Sequence, residues 1–221
     1  MSFEQALADF RYLKNRGYPD KAALKLVSDR YRLSGMERNC LFRAVFSAAD
    51  CEKRQNKLVA VLDVNGCSLG VDWYNVLITV ESYLKGFPVF ISDDGLVRDS
   101  SGIHGSYRPG KITGQAIEKI LITIDELRPL RVALFLDSPI AFSGHMADTL
   151  RGRLSDLLRV PYSVAVYPSA DYPLKSFDGI VATSDSSVID RGNVRQVLDL
   201  SRYVIERSYG ITIKPVDRFA R

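Results

Sequence analysis

Apolar residues recur at helical spacing through the first fifty positions and then collect into short continuous runs. Phe3, Leu7 and Phe10 share one face of a first helix that stops before Gly17, Tyr18 and Pro19. Ala23, Leu26, Val27 and Tyr31 mark a second helix from about Asp20 to Tyr31. Leu41, Ala44, Val45 and Ala48 mark a third. Ser34 and Glu37, three apart, read as a capping box that opens the third helix. The short turn before it gives the pair a helix-turn-helix look. The polar stretch 50–57 then reads as a linker.

From Leu58 the period changes. Runs rich in Val, Ile, Leu and Phe at 58–63, 87–92, 131–137, 162–167 and 179–183 read as buried strands. Helices opening at Asp72, Thr113 and Ser143, and a last one over about 193–208, lie between and after them. This alternation predicts an α/β fold: a parallel, doubly wound sheet of about five strands in residues 58–221, preceded by a small three-helix domain in residues 1–57. Four of the runs end in aspartate, at Asp63, at Asp93 and Asp94, at Asp137 and at Asp185. Parallel strands present their carboxyl ends along one edge, where such folds bind ligands. Two carboxylates about 4 Å apart repel by roughly 4 kcal/mol at an effective dielectric near 20. A cluster of them requires a cation, or some members must keep their protons.

Composition narrows the cation. The 221 residues include only two histidines, and the three cysteines, Cys40, Cys51 and Cys67, show no C-x-x-C spacing. A metal here would be held by oxygen, which favours Mg²⁺ or Mn²⁺. No apolar stretch approaches the roughly 20 residues of a membrane helix, and no signal-peptide pattern opens the chain, so a cytoplasmic protein is expected. Charge is uneven: of the net +4, residues 1–57 hold twelve Lys and Arg against seven Asp and Glu. Lys25, Arg30, Arg32, Arg38 and Arg43 could therefore grip nucleic acid, although a solvated helix face explains them equally.

The candidate ligands each carry a plainer alternative. Asp63, with Asn65 two residues on, could hold a cation or simply bond turn amides. Asp185 in Thr183-Ser184-Asp185 could be a ligand or the N-cap of a short helix. Asp94 and Arg98 sit in an acidic turn, Asp137 precedes Ser138 and Pro139, and Asp171 lies in a loop on the same expected edge. The loop 100–111 carries His104, Tyr107, Arg108 and Lys111, which would suit a phosphate backbone or a base beside an acidic mouth. Its Gly105–Lys111 segment imitates a phosphate-binding P-loop, but Ile112 replaces the required Ser or Thr and Pro109 lacks an amide. A nucleophile elbow is also missing.

Residues 21–34 and 37–43, with 93–99, His104-Gly105-Ser106-Tyr107, 137–144 and Ala182-Thr183-Ser184-Asp185, resemble the archaeal and bacterial family called domain of unknown function 434. The C-terminal part also resembles the PIN-like nuclease superfamily, through a first-strand Asp matched to Asp63 and a strand ending in Thr183-Ser184-Asp185. That second resemblance implies a Rossmann-like sheet and a Mg²⁺- or Mn²⁺-dependent nuclease acting on RNA or DNA. Asp63 and Asp185 would be ligands, and Glu81, Asp94, Asp137 or Asp171 would supply the rest. The alternatives are a nucleic-acid-binding protein that has lost catalysis and a nucleotide-binding or small-molecule α/β protein.

Overall fold

A computed structural model describes residues 3–218, apart from the side chain of His104. Four helices come first: α1 (Phe3–Asn15), α2 (Asp20–Tyr31), α3 (Gly35–Ala44) and α4 (Ala48–Gln55). The capping box forms as expected. Ser34 Oγ accepts the Glu37 amide at 3.3 Å and Glu37 Oε2 accepts the Ser34 amide at 2.7 Å. The expected linker 50–57 is instead mostly the fourth helix, capped by Ser47 Oγ, which accepts the Asp50 amide at 3.2 Å. Its polar sequence is explained by a single inward residue, Arg54, which is buried.

The sheet strands are β1 (Ser68–Asp72), β4 (Arg131–Asp137), β5 (Tyr162–Tyr167), β6 (Ile180–Ala182) and β7 (Gln196–Leu198). All are parallel, in the order β5-β4-β1-β6-β7. The chain leaves β1 toward β4 on one side and reaches β6 on the other, so β1 and β6 flank the point where the winding reverses. Open sheets of this kind bind ligands at that crevice, outside the carboxyl ends of the strands. A separate antiparallel hairpin pairs β2 (Val89–Ile91) with β3 (Val97–Asp99).

Three expectations need correction. The run at 58–63 is not the first strand: Leu58 makes one isolated bridge to Val197, residues Val61–Val64 form a 3-10 turn, and Leu62 is 84% exposed. The run at 87–92 yields a strand, but one that turns back on itself through Asp94 and Gly95 and never enters the parallel sheet. The helix expected over 193–208 is β7 followed by α10 (Leu200–Tyr209).

Side chains alternate across the sheet as period-2 geometry demands. Leu69, Val71, Val132, Leu134, Leu136, Ile180 and Ala182 face the main core, with α5 (Trp73–Leu84), α6 (Thr113–Leu127), α7 (Ser143–Leu157) and α10. Phe135, Val181 and Val197 face a thinner layer built with the short helices α8 (Asp171–Leu174) and α9 (Ser186–Arg191). Gly70 belongs to this second face, where a Cβ would lie 2.9 Å from the Phe177 ring. Gly179, which leads into β6, has φ 149°, and a Cβ there would strike the Ser68 carbonyl oxygen. Gly179→Ala is therefore expected to lower stability by about 1–3 kcal/mol. A reduced urea midpoint at unchanged m-value would show it; an unchanged midpoint would refute it.

The N-terminal helices form their own core from residues such as Leu7, Phe10, Val27 and Leu41. Phe90 of β2 and Val216 near the C-terminal end of the described chain complete it. Ion pairs cross the same boundary. Arg11 bridges Asp93 and Asp217, both at 2.6 Å, and Arg43 reaches Asp99 at 3.3 Å.

Candidate functional site

Register places four carboxylates around the carboxyl edge in two tiers. Asp72 ends β1 level with Phe135 of β4, and Val71 is level with Ala182, so Thr183 stands beside Asp72. Thr183 Oγ1 donates to Asp72 Oδ2 at 2.7 Å across the β1–β6 crevice. Asp137 and Asp185 lie two residues farther out on either side, by sequence about 6–7 Å beyond that level. Parity puts Asp72, Asp137 and Thr183 on the face of Phe135 and Val181, over the thinner layer.

The outer tier is pinned by short bonds. Asp137 Oδ1 accepts the Ala170 amide at 2.8 Å. Asp185 caps α9 by accepting the Ser187 amide at 2.7 Å, while Ser187 Oγ reaches Asp171 Oδ2 at 3.3 Å. Asp171 and Asp185 thus attach to the same serine. Lys175 Nζ pairs with Asp171 at 2.9 Å.

Electrostatics single out the inner member. Asp72 is buried, and burial is the largest cause raising its pKa to about 8; the Thr183 bond opposes this, and Asp185, Asp137 and Asp171 add to it. At neutral pH Asp72 mostly keeps its proton. Tyr74, two residues on, has a buried hydroxyl with no hydrogen-bond partner among the described residues, and burial followed by the Asp137 charge pushes it up to about 12.

Asp63 is not part of this set. Its carboxylate accepts the Ala60 amide at 2.9 Å within the 3-10 turn. Gly66 then donates to the Arg128 carbonyl and Leu130 to that of Cys67, which puts the segment at the amino-terminal ends of β1 and β4. The length of β1, about 13 Å for its rise, separates that edge from Asp72. The strand-end acid expected at 63 is at 72. Asn65, exposed in the same segment, goes with Asp63.

Asp94 is also elsewhere, in a buried network. Arg98 donates to both its oxygens at 2.7 and 2.9 Å, and Arg54 adds a third bond at 2.9 Å. Burial opposes ionisation of Asp94, but the two guanidiniums outweigh it and hold the carboxyl below its ordinary range. Arg98 also donates to the Ser184 carbonyl at 2.7 and 3.0 Å, so it buttresses the loop that carries Asp185. Arg54 continues to Asp190 of α9 at 2.7 Å. The Phe46 ring lies 4.3 Å from the Arg54 guanidinium carbon and 4.6 Å from that of Arg98.

A cleft of about 560 Å³ opens beside Asp185, between the N-terminal helices and the α/β part. Asn75, on the first turn of α5, lines it and was not singled out by sequence. Its Oδ1 accepts both the Ser184 amide at 2.8 Å and the Ser184 hydroxyl at 3.0 Å. Because an amide N–H can only donate, the carboxamide orientation is fixed, and its NH₂ group is the end left for a ligand. Arg108 and Lys111 are exposed in the 100–111 loop but do not line the cleft, and the His104 side chain lies outside the described residues. The loop is anchored by Tyr107, whose hydroxyl donates to buried Glu81 at 2.5 Å.

Comparison with known proteins follows the same division of the chain. A family model described as "Domain of unknown function (DUF5616)" matches residues 61–203, and one described as "Protein of unknown function (DUF434)" matches residues 2–57. The chain belongs to the DUF434–DUF5616 family. A relative from Methanocaldococcus jannaschii, "Uncharacterized protein MJ0935", is 33% identical over 206 residues, 93% of this chain and 98% of the relative. No solved structure matches. Within the DUF5616 match lie all four edge carboxylates, whereas the DUF434 match supplies Phe42, Arg43, Phe46 and Arg54 to the cleft.

The donors at the carboxyl edge, Asp72, Asp137, Asp171 and Asp185, are all oxygen, the type that hard divalent ions take. Among the described residues, no three carboxylate, imidazole or thiol side chains close on one point as a ready metal-holding group. The acids stand in tiers, and burial together with the neighbouring carboxylates disfavours the charge of Asp72, a cost that a cation would offset. No helix among the described residues is long and apolar enough to cross a membrane.

Proposed function

We propose that the DUF5616 part is a PIN-like nuclease domain that hydrolyses phosphodiester bonds of RNA or DNA with Mg²⁺ or Mn²⁺. The observation that carries this reading is buried Asp72, ringed by the charges of Asp185, Asp137 and Asp171 at the winding reversal of a parallel sheet. Asp72 and Asp185 would hold the ion, with Asp137 and Asp171 as the neighbouring acids. When bound, such an ion lowers the pKa of water and offsets charge on the scissile phosphate.

The chain's own groups prepare that site. Thr183 fixes one oxygen of Asp72, Ser187 fixes Asp185, and the Ala170 amide fixes Asp137. Such bonds orient ligating carboxylates before anything binds. Lys175 tempers the charge of Asp171. Arg98 holds the Ser184 backbone rather than touching substrate, since its guanidinium is consumed by Asp94, Ser92 and Ser184.

Mn²⁺-dependent cleavage of labelled single- and double-stranded RNA and DNA tests the reading. Asp72→Asn and Asp185→Asn are expected to lower the rate by about 100-fold or more, because each removes charge from the ion's site. Asp63→Asn, at the opposite edge, is expected to leave it unchanged. Wild-type turnover that persists in the Asp72 and Asp185 variants would overturn the assignment. Metal-independent binding without turnover would favour a nucleic-acid-binding protein that does not cut.

A further inference from the structure

The basic residues of α2 and the start of α3 do not line the cleft beside the acidic edge. Lys25 pairs with Asp29 at 2.5 Å, Arg30 with Asp9 at 3.6 Å and Arg38 with Asp29 at 3.7 Å. None of Lys25, Arg30, Arg32 and Arg38 lines the cleft. The N-terminal helices line it with Lys14, Asp20, Asp50 and Arg54 and, from the end of α3 and the turn after it, Phe42, Arg43 and Phe46. Phe46 already lies against two guanidiniums, but Phe42 is 47% exposed, an aromatic side chain left open on a cleft wall.

The other wall supplies complementary chemistry. Ile78 and Ile103 give it apolar surface, and Gly102 brings the loop against the Asn39 side chain, where an added Cβ would lie 2.9 Å from Asn39 Nδ2. The Asn75 carboxamide, clamped by Ser184, offers a fixed donor next to Asp185. About 560 Å³ is the size of a small-ligand pocket, which holds one nucleotide and not the body of a duplex. Four of the five cations on its walls are satisfied within the protein, Lys14 by Asp20, Arg43 by Asp99, Arg54 by Asp94 and Asp190, and Arg98 by Asp94, whereas Arg191 is exposed. Affinity must therefore come from an aromatic face and directed hydrogen bonds more than from net charge.

We propose that this cleft is a subsite for one unpaired nucleotide, with Phe42 of the DUF434 helices as the platform on which its base stacks and Asn75 as the donor that positions it beside Asp185. The inference rests on the hydrolase reading above for what happens next, but the subsite itself needs no metal. It assigns the N-terminal helices a wall of the site and not a separate charged surface for recruitment.

The experiment measures anisotropy of short fluorescent single-stranded RNA and DNA oligonucleotides titrated with the full chain in EDTA. Stacking on an aromatic ring accounts for roughly a 5- to 150-fold difference in affinity. Phe42→Ala and Phe42→Leu are thus expected to weaken binding about tenfold or more, and Phe42→Tyr to restore it. Phe42 is exposed, so these variants keep the fold, which their melting curves check. An Arg30→Ala, Arg32→Ala double variant is expected to stay within about threefold of wild type, as loss of two exposed charges near no ligand should. The proposal is overturned if Phe42→Leu binds like wild type, if only the arginine variant loses binding, or if the wild type binds neither oligonucleotide. Binding in EDTA without Mn²⁺-dependent cleavage would sink the hydrolase reading and support the subsite. Cleavage and binding that both ignore Phe42→Leu would sink the subsite alone.

Discussion

Asp94→Ala is expected to cost about 3–5 kcal/mol of stability, the range for removing one partner from a buried ion pair. For a domain of this size that corresponds to a fall in melting temperature of about 10 °C. The cost arises less from lost attraction than from what stays behind. Arg98 and Arg54 are both buried, and without Asp94 three of their charge-assisted hydrogen bonds have no acceptor. Arg54 keeps Asp190 and Arg98 keeps the Ser184 carbonyl, so the variant is expected to fold with a loosened seam. Adding Arg54→Ala to Asp94→Ala is expected to cost much less than Arg54→Ala alone, the mark of coupled residues. Thermal melts of the two single variants and the double variant measure this. Additive losses, or a loss below about 1 kcal/mol for Asp94→Ala, would show that the network contributes little.

Replacing Asp72 should change stability in the opposite direction, by an amount that grows as pH rises. The folded protein holds the Asp72 proton up to about pH 8, whereas an unfolded aspartate releases it near the usual 3.9. Between those values the folded state binds more protons than the unfolded one, so stability falls as pH rises, and the decline ends above about pH 8. At 1.36 kcal/mol per unit the full span amounts to about 6 kcal/mol at most. Asp199, buried and raised to about 6, adds to the same slope at lower pH. Asp72→Asn removes the Asp72 share of the slope throughout and leaves only the Asp199 share, which ends near pH 6. It is expected to match wild type near pH 4 and to exceed it by several kcal/mol at pH 8.5, read from urea unfolding at each pH. Mn²⁺ is expected to raise the wild-type midpoint more at pH 8 than at pH 5, since the ion must displace a proton. Parallel pH profiles for wild type and variant would refute the buried, proton-holding Asp72.

Most of the α/β architecture is readable from apolar runs, yet the residue that matters most is hidden by the same rule. β4 and β5 declare themselves because every second residue reaches a core and the others are apolar too. β1 does not: Ser68, Leu69, Gly70, Val71, Asp72 contains only two large apolar residues. Gly70 is there because the Phe177 ring occupies the space of a side chain, a contact made by a residue more than a hundred positions away. The run at 58–62 offers a stronger strand pattern than β1, and it lies nearby in sequence, so it draws the assignment and carries Asp63 with it. Asp185, Asp137 and Asp171 are legible because each closely follows a strand whose run is unambiguous. Asp94 misleads for a different reason. Its strand is real, but a hairpin and a parallel strand have the same local pattern, and only pairing partners distinguish them. Asn75 had no signal in sequence, because its value comes from the Ser184 backbone across the crevice.

The two family matches meet at residues 57 and 61, but the molecule has no seam to part there. Arg54, four residues before that join, is clamped simultaneously by a hairpin and a helix of the other part. Phe90 and Val216 belong to the N-terminal core although they come from far along the chain. A gene fragment starting at 58 would encode a protein with Asp94 short of one counter-ion, Phe46 absent from its two guanidiniums, and a greasy scar where four helices had been. Either half by itself is expected to be less stable than the whole chain, since each would expose apolar surface that the other covers. The cleft and its buried ion network are complete only in a chain that carries both parts.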